Sequence, residues 1–164
     1  MHMSKPLLME LVLVTAALAC GDKLMLVGGH ARLRQIYGAR PASILAYMRP
    51  DSSVPEIVRS LQLAVRQTGH KFHTVENLSA LDEALKAGKY DLLLADISDA
   101  EVLQQEARSA PSKPVLLPVV HKSSKAEATA AEKRFHCALK APGSTSHYLD
   151  AIDEAMEIRM NTVR

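Results

Sequence analysis

From Ser43 to the C-terminus, short apolar runs alternate five times with stretches of helical periodicity, and this alternation constrains the fold more than any other feature of the chain. Ser43–Met48 (SILAYM) is the first apolar run. Ser53-Val-Pro-Glu56 then reads as a capping box, with Val54, Ile57, Val58, Leu61 and Val65 at helical spacing and Gly69 as the stop signal. Lys71–Val75 predicts a second strand, and Leu78, Leu81 and Leu85 give one apolar face to a helix that ends at Gly88. Tyr90–Asp96 (YDLLLAD) is continuously apolar, as a strand covered on both faces requires. A helix from Asp99 to about Arg108, a loop at Pro111 and a strand over Val115–Val120 follow. Ser124-Lys-Ala-Glu127 is a second capping box, opening an Ala-rich helix over Lys125–Arg134 that has little bulk to bury and is expected to be loosely attached. Cys137–Lys140 predicts the fifth strand, and Ser146–Met160 a last helix with Tyr148, Leu149, Ile152, Ala155 and Met156 turned inward.

Strands separated by helices imply right-handed crossovers and a parallel sheet. The expected fold is α/β, a flavodoxin-like doubly wound five-stranded sheet in the order 2-1-3-4-5, with function at the carboxyl ends of the strands. The 164 residues divide into a leader over 1–20, a connector over 21–42 and this domain over 43–164. Hydrophobic residues make up 48% of the chain, which excludes a disordered protein, while aromatics make up 4% and Trp is absent, so Leu, Val, Ile, Ala and Met must build the core.

The leader is a different material. After a basic start, Pro6–Ala19 is nearly continuous apolar sequence, too short for a spanning helix of about 20 residues but of the right length for a secretory signal. It ends Ala17-Leu18-Ala19-Cys20, which resembles a bacterial lipoprotein cleavage box and marks Cys20 for lipidation, although that family prefers Leu where Ala17 stands. Glu10 inside the run and Lys23, Arg32, Arg34 and Arg40 after it argue against export, and a buried soluble helix or a mis-assigned start are the alternatives. Export or membrane anchoring is the expectation, with membrane contact only through this leader.

Two segments carry a resemblance to response-regulator receivers. Tyr90-Asp-Leu-Leu-Leu-Ala-Asp96 resembles the receiver strand that ends in the phosphoryl-accepting aspartate, which places Asp96 at that position. Ala138-Leu-Lys-Ala-Pro142 resembles the Lys-Pro end of the family's fifth strand, with Lys140 as the lysine and Ala141 inserted before the proline. The family holds Mg²⁺ with an acidic pair after strand one and places Ser or Thr at the end of strand four. Here Met48 and Arg49 stand after strand one, and Val119 stands at the switch position. A thioether and a cation do not supply the hard oxygen ligands that Mg²⁺ takes. Asp51 belongs to the turn before the helix on this reading. Arg49 invites an ion pair with Asp96 where the metal would sit, and Lys140 a contact with the same carboxylate. The simpler alternative is that Asp96 satisfies backbone groups at the strand end.

The resemblance therefore implies a degenerate receiver: no catalytic residue, no metal and no cofactor, with a protein partner met on the face built from the fourth helix, fifth strand and fifth helix. A cytoplasmic receiver that accepts phosphate on Asp96 and a small-ligand binding protein are the alternatives. A net charge of +2, without a basic stripe interleaved with aromatics, gives no argument for nucleic acid. His70, His73, His121, His136 and His147 show no metal spacing, and no Ser/His/Asp triad is legible. Cys137 is expected to be an inert buried thiol, with a disulfide to Cys20 as the alternative in an exported chain that is not lipidated.

Overall fold

The structure is a computed structural model that describes residues 40–121 and 124–162. The readings of 1–20, of Cys20 and of nearly all of the connector lie outside the described residues. Within them, ten elements alternate in chain order: β1 (Ser43–Tyr47), α1 (Val54–Thr68), β2 (Lys71–Val75), α2 (Leu78–Lys86), β3 (Leu92–Asp96), α3 (Ala100–Ser109), β4 (Val115–His121), α4 (Lys125–Phe135), β5 (Leu139–Ala141) and α5 (Thr145–Thr162). The five strands form one parallel sheet in the order β2-β1-β3-β4-β5, the flavodoxin-like arrangement expected from the alternation.

Strand period sends alternate residues to opposite faces, and each face carries its own core. Ile44, Ala46, Leu92, Leu94, Leu117, Val119 and Leu139 pack under α1 and α5, against Ile57, Leu61, Leu149 and Ile152. Leu45, Tyr47, Leu93, Ala95, Leu116 and Val120 pack under α2, α3 and α4, against Leu81, Leu85, Leu103 and Phe135. Burial on both sides explains why β3 reads as an unbroken apolar run. Pro118 sits inside β4, opposite Ala95 on β3. The Val119 carbonyl accepts from Ile97 N, so strand alternation turns the Pro118 nitrogen toward the β5 side, and β5 begins only at Leu139, level with Val119. The missing N–H therefore falls where there is no strand to pair with.

The capping boxes are not formed. Ser53 and Ser124 occupy the N-cap positions of α1 and α4, but neither side chain makes a cap hydrogen bond. Before α1 the neighbouring Ser52 does this work: its Oγ donates to the Arg49 carbonyl at 3.0 Å and accepts from Val54 N at 3.3 Å. Gly69 ends α1 as expected, in the left-handed region at φ 82°, with its N–H on the Val65 carbonyl. The fourth helix is better seated than expected. It runs one residue further than the sequence predicts, and that residue, Phe135, is buried together with Ala128 and Ala131. Cys137 is buried, but it is disulfide-bonded rather than the free thiol expected. Among the described residues no helix is long and apolar enough to cross a membrane.

Candidate functional site

The carboxyl tips of β1 and β3 bring five polar residues together: Arg49, Asp51, Asp96, Ser98 and Asp99. Met48 continues β1 by donating its N–H to the Val75 carbonyl at 2.8 Å, and its side chain packs on the core beneath α1 and α5. Strand alternation then turns Arg49 away from that core, and a tight turn, closed by Ser52 N on the Arg49 carbonyl at 3.2 Å, brings Asp51 back alongside it. Arg49 Nε lies 3.0 Å from Asp51 Oδ1, Nη2 lies 3.2 Å from Asp51 Oδ2, and Nη1 lies 2.9 Å from Asp99 Oδ1. Nη2 also reaches Ser98 Oγ at 3.3 Å. The guanidinium thus makes a fork on one carboxylate and a single bond to another.

The expected Arg49–Asp96 pair is not among these bonds. Asp96 Oδ1 accepts from Ser98 N at 3.1 Å and from Ser98 Oγ at 2.9 Å, a local turn that occupies the carboxylate at the strand end. The alternative reading of Asp96 as a satisfier of backbone groups describes this geometry. Arg49 bonds to Asp51 and Asp99, while Asp96 Oδ1 is bonded to Ser98.

Lys140 does not meet Asp96 either. Its Nζ lies 2.8 Å from Glu132 Oε1 on α4. Register gives the reason: Asp96 is level with Val119 and Val119 with Leu139, so Lys140 stands one residue beyond that row. A shift of one residue exchanges the faces of a sheet. Leu139 and Ala141 share the core beneath α1 and α5, while Lys140 projects to the α4 side. Val119 is buried beside Asp96 and offers no hydroxyl there.

Asp99, Ser98 and Glu132 are site residues that the sequence reading did not single out, and Asp51 was assigned to the turn alone. The signal for the first two is the string Asp96-Ile-Ser-Asp99, in which a strand passes into a helix within three residues and forces the polar side chains together.

Three carboxylates around one cation shape the titration of the cluster. Asp99 sits above the ordinary carboxylate range: burial pushes it up, the Arg49 guanidinium pulls it down, and Asp96 and Asp51 add further upward pressure. Its Oδ2 is buried with no hydrogen-bond partner. Arg49 is held above its usual value, first by Asp99, with burial opposing and Asp51 assisting. The result is an acidic cluster with its own internal counter-cation. Among the described residues no group of three or more His, Cys, Asp or Glu side chains is placed to hold a metal ion. Comparison with known protein families, curated proteins and solved structures returned no match.

Proposed function

We propose that this chain is a receiver-like protein-interaction module whose strand-tip site is a fixed structural cluster rather than a phosphoryl-transfer centre. The observation that carries this reading is the Arg49 guanidinium, bonded to Asp51 and Asp99 at the tip of β1. In the family that the sequence resembles, that tip holds the acids that bind Mg²⁺. Phosphoryl transfer to a carboxylate needs positive charge placed on the incoming phosphoryl oxygens to offset the negative groups brought together. A guanidinium already committed to two carboxylates, with Asp96 bonded to Ser98 and Lys140 ion-paired with Glu132, supports a site held in one charge state. The partner surface is the α4–β5–α5 face, where the Lys140–Glu132 pair ties β5 to α4 and where Lys133 and Met160 are exposed. Export or membrane anchoring is the part of this proposal that rests on the leader alone.

Amide NMR spectra of the chain in Mg²⁺ and beryllofluoride test the reading. No adduct at Asp96 and unchanged Ile97 and Ser98 resonances are expected. A stable adduct, or labelling by acetyl phosphate that disappears in Asp96→Asn, overturns it. Mass spectrometry of the native N-terminus tests the exported form independently, with an intact, unmodified first residue as the result that removes it.

A further inference from the structure

At the opposite end of the sheet from the Arg49 cluster, a crevice of about 380 Å³ opens where the start of β4 meets the ends of α3, α4 and α5. Its floor is apolar, with Leu116 and Phe135 among the lining residues, and its rim carries Arg108, Lys113, Arg134 and His136. None of the lining residues is Asp or Glu. Arg134 is partly neutralised by Glu101 and lies over the Phe135 ring at 5.4 Å. Arg108, Lys113 and His136 are exposed around the mouth.

A second, independent feature marks the same rim. Lys113 at φ 45° and His136 at φ 65° are the two non-glycine residues with positive φ among the described residues, and both line this crevice. Glycine takes that backbone without penalty, whereas a side chain there costs free energy. The surroundings hold both in place. His136 N–H bonds to the Glu132 carbonyl, and Arg159, itself paired with Asp91, donates to the Ser112 and Lys113 carbonyls at 2.9 and 3.1 Å. A lysine and a histidine thus stand at the two turns where glycine is the inexpensive choice.

We propose that this crevice binds a small organic anion with an apolar body, such as an aryl or alkyl phosphate or carboxylate, its body on Leu116 and Phe135, its charge on Arg108 and Lys113, and a hydrogen bond from His136. The volume suits a ligand of this size. Arginine supplies a planar fork for phosphate or carboxylate, and lysine a compact charge. The inference is independent of the strand-tip reading and stands or falls apart from it.

Titration of the full chain with phenyl phosphate, phenol and inorganic phosphate, followed by amide NMR and calorimetry, tests it. Phenyl phosphate is expected to shift the Leu116, Phe135 and His136 amides and to bind at least about tenfold more tightly than either half alone. The Arg108→Gln, Lys113→Gln double variant should weaken it by about tenfold with an unchanged melting temperature, whereas Lys89→Gln, away from the crevice, should not. His136→Gly should weaken binding while keeping or raising thermal stability. Equal affinity for phenol and phenyl phosphate would reduce the crevice to an apolar dent. Equal affinity for inorganic phosphate would reduce it to diffuse positive charge, and the absence of amide shifts would remove it; each outcome overturns the proposal.

Discussion

Arg49 Nη1 lies 2.9 Å from Asp99 Oδ1, so a residue two positions past the first strand is bonded to the residue that opens the third helix. The pair joins the β1–α1 and β3–α3 loops across the sheet tip. Replacing Arg49 by Gln removes the downward pull on Asp99 and leaves burial and the two neighbouring carboxylates, all of which push upward. The Asp99 carboxyl is therefore expected to titrate higher in Arg49→Gln than in the parent, as read by carboxyl-carbon NMR. Because its folded value is already raised, the folded state holds this proton more tightly than the unfolded state does. Its contribution to stability is full below the unfolded value and is lost as pH rises through the folded one. Arg49→Gln should widen that window upward, and an unchanged Asp99 midpoint would show that the guanidinium does not govern the site.

A second inter-element tie lies at the amino ends of the strands. Asp91 Oδ2 accepts from Ser43 N at 2.9 Å, and Oδ1 meets Arg159 Nε at 3.0 Å. Arg159 is 18% exposed and Asp91 29%, so the pair is partly shielded from water and should exceed an open surface bridge in strength. Arg159→Ala also removes two donors from the loop carbonyls of Ser112 and Lys113. A loss of about 2 kcal/mol is expected by urea unfolding for either single variant. In a double-mutant cycle with Asp91→Asn the two losses should fall short of additivity by about 1 kcal/mol. Additive losses would mean that Arg159 acts through the loop alone.

The parallel sheet with two covered faces was legible because it depends on a property that survives local error. Leu92, Leu93 and Leu94 are apolar in succession, and in a short segment between turn signals a strand buried on both faces satisfies all three. Helix caps and side-chain pairs depend on geometry finer than a residue, and there the sequence was ambiguous. Ser53 takes the N-cap position that the sequence assigns it, but the turn at Arg49 gives the side-chain bonds to its neighbour Ser52. Lys140 is one position from the row of Asp96, and strand parity converts that single residue into a change of face. Arg49 was correctly placed at the strand tip, but a long side chain has several carboxylates within reach. It bonds to Asp51 and Asp99, while Asp96 is bonded to Ser98. The bulk that seats α4 came from Phe135, just past the helix end that the alanines suggested.

Gly143 is fixed by the ring that follows it. Its N–H donates to Tyr148 Oη at 2.6 Å, and a Cβ built on it would lie 2.8 Å from Tyr148 Cε1 and 2.9 Å from the Lys140 carbonyl oxygen. The ring is buried and the carbonyl is backbone, so neither can yield freely. Gly143→Ala is expected to cost about 1–3 kcal/mol through overpacking. Tyr148→Phe, which keeps the ring and deletes the acceptor, should cost about 1 kcal/mol. If Gly143→Ala unfolds at the parent's urea midpoint, the loop has room to move and the close approach has no energetic consequence.

His70 gives the domain a pH dependence of the opposite sign to Asp99. It follows the Gly69 cap, is 5% exposed, and accepts Ala42 N–H on Nδ1 at 2.8 Å, so the neutral ring carries its proton on Nε2, which is buried without a hydrogen-bond partner. Burial lowers its pKa, with Asp153 opposing. The unfolded chain titrates this residue near pH 6.5, so between that value and the lower folded one the unfolded state binds more protons. Its contribution to stability is therefore complete above about pH 6.5 and is lost as pH falls toward the folded value. Protonation would also place a donor on Nδ1 facing the Ala42 N–H and break the bond that holds the start of β1 beside β2. Urea midpoints measured at about pH 7.5 and about pH 5.5 should fall with acidification in the parent. His70→Asn retains an acceptor toward Ala42 without a titrating ring, and its midpoint should change less over the same interval; an undiminished slope in that variant would assign the pH dependence to other groups.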